Sequence, residues 1–268
     1  MLNIINKISN NSPIGVLDSG IGGLSTLAVL KKVLPNENFI FYADHKNTPY
    51  GDKTKEEVEI FVYKIVKFFM SKNVKAIIIA CNTAVSATIK KLRKEFNIPI
   101  LGLEPAVKVA YDSCKEKDLV IMATKLTING DKLKNLLKKL NIENKVKKLS
   151  ASGLVELIES KNYSKTEIIN YLKLLFKDIH SNKFSYIVLG CTHYIFIKNE
   201  IKSVLGDKIR IVDGNNGIAN HLKNILMAKK LLNNNLNSGN IELISSGNIK
   251  DKEKLDIFYK KAVLIAND

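Results

Sequence analysis

Ile77-Ile78-Ile79-Ala80-Cys81-Asn82-Thr83-Ala84 runs an unbroken aliphatic stretch straight into a thiol, an amide and a hydroxyl. Consecutive aliphatic residues without polar alternation suit a strand covered on both faces, and Val85 to Phe96 behind them suits a helix. The segment reads as one strand-helix step of a parallel sheet, so the chain reads as α/β. Cys81, Asn82 and Thr83 then fall at the carboxyl end of the strand, where open α/β sheets place their ligands. A helix N-terminus at that point offers free N–H groups to an anion and lowers the pKa of a thiol.

The same pattern returns in Ile187-Val188-Leu189-Gly190-Cys191-Thr192-His193-Tyr194, again with a helix-like stretch behind it. Either cysteine alone could be an ordinary buried residue, since free Cys is among the most buried types. The repeated context argues for two similar α/β units with equivalent thiols. Outward from these two steps, strands are expected at Ile14 to Leu17, Asn38 to Ala43, Ile98 to Gly102, Asp118 to Ala123, Lys145 to Leu149, Ile209 to Val212 and Ile241 to Ser245. Helices are expected between them, including one over Lys125 to Leu140 and one capped by Thr54 with Glu57 three positions on. This alternation calls for mainly parallel sheets with right-handed crossovers. Gly20, Gly22 and Gly23 form a glycine-rich turn after the first strand, without the GxGxxG order of a dinucleotide fingerprint. The tail from Asn233 onward carries no distinctive pattern.

The 268 residues, 46% of them hydrophobic, can build one large or two modest cores. No apolar stretch approaches the roughly 20 residues of a membrane span, and Met1 to Ser12 lacks the apolar core and cleavage site of a secretory signal. A cytoplasmic protein without membrane contact is therefore expected. Three cysteines without a CxxC pair and four scattered histidines form neither a zinc pattern nor a disulfide framework. The net charge of +16 could attract nucleic acid or an acidic small molecule. The lysines spread over many helix faces with abundant Asn and Ile, as A/T-rich coding sequence produces, and no aromatic platform accompanies them. A nucleic-acid partner is not expected.

Val16-Leu17-Asp18-Ser19-Gly20-Ile21-Gly22-Gly23-Leu24, Asn47-Thr48-Pro49-Tyr50-Gly51, Ala80-Cys81-Asn82-Thr83-Ala84, Gly102-Leu103-Glu104-Pro105-Ala106 and Gly190-Cys191-Thr192-His193-Tyr194 occur in the order and at about the spacing of the signature blocks of the glutamate racemase family. The chain resembles that family from Pro13 to about Leu232. The resemblance implies two α/β domains with the active site in the cleft between them: residues 1–103 with 214–268 as the first, discontinuous domain, and residues 104–213 as the second. It implies cofactor-independent exchange of the α-proton between L- and D-glutamate, with D-glutamate supplied to peptidoglycan.

By the resemblance, Cys81 serves the face that reacts with the D-isomer and Cys191 the L-isomer, with Asp18 beside Cys81 and His193 beside Cys191. Two opposed thiols suit removal of a proton from one face of a carbon and delivery to the other. Glu156, in Gly153-Leu154-Val155-Glu156, is matched to a further acidic position near the second cysteine. Asp18, Ser19, Tyr50, Gly51, Asn82, Thr83, Thr192 and His193 would bind the substrate, since hydroxyls, an amide and backbone N–H groups can hold its carboxylates. No metal or cofactor is implied. The family commonly forms dimers with varied interfaces, so a homodimer is expected without an assigned surface.

The chain departs from the family pattern at Ile195-Phe196, at Asn129-Gly130-Asp131 and at Asp213-Gly214-Asn215-Asn216, which touches loop shape and pocket edges rather than the cysteines. Histidine directly after Cys191-Thr192 favours glutamate over aspartate, because the aspartate enzymes generally carry glutamate there. Cys114 is expected to be structural, and His45, His180 and His221 to be surface or packing residues.

Overall fold

A computed structural model describes residues 8–113, 117–160 and 164–268; Cys114 lies outside the described residues. The chain alternates strands and helices in the order β1 (Ile14–Asp18), α1 (Leu24–Val33), β2 (Phe39–Ala43), α2 (Lys55–Ser71), β3 (Ala76–Ile79), α3 (Asn82–Glu95), β4 (Ile100–Gly102) and α4 (Val107–Ser113). It continues with β5 (Asp118–Ala123), α5 (Lys125–Asn129), α6 (Asp131–Lys139), β6 (Val146–Ser150), α7 (Leu154–Glu159), α8 (Lys165–Leu175), β7 (Phe184–Gly190), α9 (Lys198–Leu205), β8 (Arg210–Val212), α10 (Asn215–Ala228), β9 (Ile241–Ser245) and α11 (Ile249–Asn267).

These strands form two all-parallel sheets, ordered β4-β3-β1-β2-β9 and β6-β5-β7-β8. In each, the unit's first strand lies between its second and its third. The order therefore reverses at β1/β3 in one sheet and at β5/β7 in the other. Side chains leaving the carboxyl ends of those pairs line a crevice that neighbouring crossovers leave open. Cys81 follows β3 and Cys191 follows β7, so the doubled cysteine context is a doubled topological position.

β1 and β3 are buried along their whole length, which explains their lack of polar alternation. Val58, Val62, Ile65, Val66 and Phe69 of α2 and Val85, Ile89 and Leu92 of α3 cover one face of the first sheet with Leu17, Ile77 and Ile79. The opposite face packs on α1 and α10, and the same apolar cluster continues through Leu24 and Leu27 to Met122, Tyr194 and Ile197 of the second half. Thr54 caps α2 through the reciprocal Thr54–Glu57 bonds that its sequence advertises. Among the described residues no helix is long and apolar enough to cross a membrane.

Three elements differ from their sequence expectation. The helix expected over Lys125 to Leu140 is broken at Gly130, whose extended backbone separates α5 from α6. A 3-10 segment, Thr192–Ile197, comes between Cys191 and α9, so Cys191 does not sit on an α-helical N-terminus. The tail forms the expected strand, β9, at the edge beside β2, but adds a helix that was not expected, α11, which packs on α1 through buried Leu255 and Ala262.

Candidate active site

Asp18 ends β1, and Cys81 follows β3, its neighbour in the sheet, after Ala80. Asp18 is fully buried. Its Oδ1 accepts the Gly20 N–H at 3.0 Å, and its Oδ2 accepts the Thr192 hydroxyl at 3.1 Å, a contact from one half of the chain to the other. Burial raises its pKa against the opposing pull of His193 and these two donors. Cys81 is the N-cap of α3, and the Ala84 N–H and the Ser19 side chain act on its sulfur to favour the thiolate. Burial and the adjacent Asp18 nevertheless push the thiol up to about 12. The lowering expected from the helix N-terminus is outweighed here by desolvation of the thiolate and by a neighbouring acid.

Cys191 has a different setting. It is partly exposed, and its sulfur lies 3.8 Å from His193 Nδ1. The other ring nitrogen of His193 is 2.7 Å from Glu159 Oε1, which also accepts the Ile21 N–H at 3.2 Å. Burial opposes charge on His193, but Cys191 and Glu159 together hold its pKa well above the ordinary histidine value. Burial would likewise raise Glu159, and His193 reverses this, leaving the carboxyl below its usual range. The result is a Cys191–His193–Glu159 line in which an imidazole of raised pKa stands next to the Cys191 sulfur.

A narrow pocket lies between the two cysteines, lined by Ser19, Tyr50, Gly51, Asn82 and Thr83 from one half and by Thr124, Val155, Thr192 and His193 from the other. Asn82 is buried, and neither its amide oxygen nor its nitrogen has a hydrogen-bond partner among the described residues. Such an orphan is costly unless a ligand satisfies it. Thr83 Oγ1 meets Thr124 Oγ1 at 2.9 Å, a further contact between the halves. The Tyr50 hydroxyl donates to Asp44 Oδ2 at 2.6 Å, so Tyr50 and Gly51 offer a ligand the backbone N–H groups that open their 3-10 turn rather than the phenol.

The structure thus brings Cys81, Cys191, Ser19, Tyr50, Gly51, Asn82, Thr83, Thr192 and His193 around one space, with Asp18 buried behind it on the Thr192 hydroxyl. Glu156 is placed differently: it lies at the cleft's edge together with Asp52, and burial and that neighbouring acid raise its pKa. The carboxylate that engages His193 is Glu159, one helical turn further along α7. Positions three apart share a helix face, so the Glu156/Glu159 pair is ambiguous to a motif whose preceding residues have diverged. Thr124 also lines the pocket, although no motif marks it; its place after β5, the neighbour of β7, is the signal that the sequence offers. His180 and His221 are exposed, whereas His45 is buried beside Glu159. Among the described residues no group of three or more His, Cys, Asp or Glu could hold a metal ion.

Two parallel sheets with acid-base side chains facing across their switch points place the molecule in the class of α/β enzymes whose site is shared between two halves. A family model described as Asp/Glu/Hydantoin racemase matches residues 22–222. A glutamate racemase of Clostridium acetobutylicum is 42% identical over 251 residues, 93% of this chain and 97% of that protein. The crystal structure of a glutamate racemase isoform from Bacillus anthracis aligns with a TM-score of 0.86 at 29% identity, covering 94% of this chain and 95% of that one. The glutamate racemase of Francisella tularensis, solved in complex with D-glutamate, aligns with a TM-score of 0.81 at 28% identity over 94% of each chain. The chain belongs to the Asp/Glu/Hydantoin racemase family and is an amino-acid racemase.

Proposed function

We propose that this racemase interconverts L- and D-glutamate by a two-base mechanism in which Cys81 and Cys191 act on opposite faces of the α-carbon. Support comes foremost from two thiols that line one pocket from facing switch points, with the orphaned Asn82 amide beside them. In the L-to-D direction the Cys191 thiolate, beside the His193 imidazolium, takes the α-proton. The Cys81 thiol, protonated at rest by its raised pKa, delivers its own proton to the other face. The products are the D-isomer, a Cys81 thiolate and a Cys191 thiol, and the reverse reaction exchanges the roles. Asp18 receives or returns the proton of Cys81, and His193 does the same for Cys191 with Glu159 holding the ring.

Ser19, Asn82, Thr83, Thr192, the His193 backbone and the N–H groups of Tyr50 and Gly51 bind the two carboxylates. Glu156 takes no proton from the substrate; it faces Asp52 at the entrance. The chain divides at 103/104 and 213/214 into a discontinuous first domain and an inserted second one. Gly214 backs directly onto the Glu104 carbonyl, so the outgoing and returning connections run side by side at a hinge. The product serves peptidoglycan synthesis in the cytoplasm.

Circular dichroism of the purified chain with either enantiomer of glutamate, without added cofactor, tests the reaction. Signal decaying to zero from both sides, abolished in Cys81→Ser and in Cys191→Ser, is the expected outcome. Decay with aspartate alone would reassign the substrate. A depletion strain that D-glutamate fails to rescue would contradict the physiological role.

A further inference from the structure

Glu159 has a second imidazole on its far side. His45 follows β2, and its Nε2 lies 3.9 Å from Glu159 Oε2, with both side chains nearly sealed from solvent. That nitrogen is buried and has no hydrogen-bond partner among the described residues. The opposite nitrogen, Nδ1, is 2.8 Å from Ser245 Oγ at the end of β9, and the same Ser245 oxygen accepts the Gly247 N–H at 3.0 Å. A serine hydroxyl donating to Nδ1 leaves the ring hydrogen on Nε2, pointed at the carboxylate. One buried carboxylate is therefore flanked by two imidazoles, and only His193 reaches the reacting thiol.

We propose that His45 is a positioning residue for the reaction: through Glu159 it governs the charge on His193 and sets the acid limit of proton transfer at Cys191. This rests on the reading of Cys191 and His193 as acid-base partners. The charged groups facing His45 are Glu159 of α7, Asp251 and Lys254 of α11 and His193 of the 3-10 segment. Burial keeps His45 neutral against the pull of Glu159 and Asp251, while Lys254 and His193 resist a further positive charge. When acid finally charges His45, Glu159 must serve two cations. The imidazolium form of His193 then loses support, its Nδ1 proton passes to the Cys191 thiolate, and the base that attacks the L-isomer is gone.

Two measurements on the full chain test this. The first is kcat/KM for glutamate against pH for the wild type and His45→Gln. Because the enantiomers are equally stable, this quantity follows one curve in both directions. The acid limb is expected to move down in His45→Gln by about half a pH unit or more, so that near pH 5.5 the variant keeps roughly threefold more of its plateau than the wild type. The second is the NMR titration of the histidine rings without substrate. The His45 midpoint is expected to fall in Glu159→Gln, since the carboxylate that favours its charge is removed. Superimposable pH profiles, or a His45 midpoint indifferent to Glu159→Gln, would overturn the proposal and leave His45 a packing residue. The ring titration uses a different variant, so a His45→Gln chain that fails to fold leaves the test standing. A wild type that does not racemise glutamate would sink the functional reading, and the substrate-free titration would still decide the linkage.

Discussion

The two cysteines occupy equivalent topological positions and are chemically unequal. Cys81 is buried beside an acid, with its thiol pushed up to about 12, whereas Cys191 is partly exposed beside an imidazolium. Iodoacetamide attacks thiolates that it can reach, so in a Cys114→Ser background Cys191 should be alkylated at least about tenfold faster than Cys81. Peptide mapping by mass spectrometry reads the order directly, and faster loss of Cys81 would refute the assignment. Glu159→Gln keeps the shape of α7 but removes the charge that supports His193. Its kcat should drop by about 10²-fold, with the His193 titration moving down toward the ordinary value. The pH dependence of stability carries a definite sign. Glu159, whose folded pKa is depressed, adds stability that is present above the unfolded value of about 4.5 and is lost as pH falls through the folded value. His193, whose folded pKa is raised, adds stability that is complete below about 6.5 and is lost as pH rises through its folded value. Urea unfolding of wild type and Glu159→Gln should therefore differ most around pH 5 to 6.5, with the gap closing on either side.

At the scale of elements, the glycine turn after β1 had no assigned purpose in the sequence, because it is not a phosphate loop. Its role is close approach. A Cβ on Gly20 would fall on Glu159 Oε1, and one on Gly22 would fall between Thr192 Oγ1 and His193 Nδ1. The first half can meet the second only over bare backbone at these points. Gly22→Ala must displace either the Thr192 hydroxyl from Asp18 or the ring from Cys191, and a shift of about 1 Å at a reacting group costs on the order of 10²-fold in rate. Activity falling by that factor, with the melting temperature changed by only a few degrees, is the expected pattern; full activity would show that the two halves do not close this tightly in solution. The tail is the opposite case, an element that the sequence hid. The buried contacts of α11 reduce to Leu255 and Ala262, with partly buried Phe258, Tyr259 and Val263 around them, too sparse to give a strong apolar stripe. Its one clear signal, Asn248 three positions before Asp251, is a capping box that forms in the structure. Yet this helix supports the site: the Lys254 ammonium donates to the Glu159 carbonyl at 2.9 Å. Glu159 itself was legible only as one of two acidic residues a helical turn apart, and no one-dimensional pattern states which of them faces a histidine 34 residues away.

For the whole molecule, the strand order explains why so much of the site could be read in advance. Repetition of one apolar-strand-then-cysteine phrase is what a doubled order of strands looks like in sequence, and the carboxyl ends at each reversal point are where ligands bind. What the repetition could not convey is the electrostatic asymmetry of the halves, which comes from side chains that have no counterpart in the other unit, such as the Glu159 carboxylate on His193, and from contacts between the halves such as Thr192 to Asp18 and the Ile21 N–H to Glu159. The net charge of +16 acts at this largest scale. Beside the cavity, and sharing Gly51 with it, a wider groove carries Lys53, Lys55 and Lys125 against Asp52 and Asp131. Glutamate carries a net negative charge at neutral pH and approaches through that field. The field is screened over about 10 Å at 0.1 M salt, whereas contacts inside the closed cavity are screened much less. Raising NaCl from about 20 mM to 500 mM should therefore raise KM severalfold and leave kcat within about twofold, because only the encounter and the first binding step sense the exposed lysines. Lys125→Gln should reduce that salt dependence without shifting the pH profile, since Lys125 is exposed and belongs to none of the hydrogen-bonded lines at the two cysteines. A KM indifferent to salt in the wild type would mean that the positive field does not guide the substrate and that the surface lysines are incidental to catalysis.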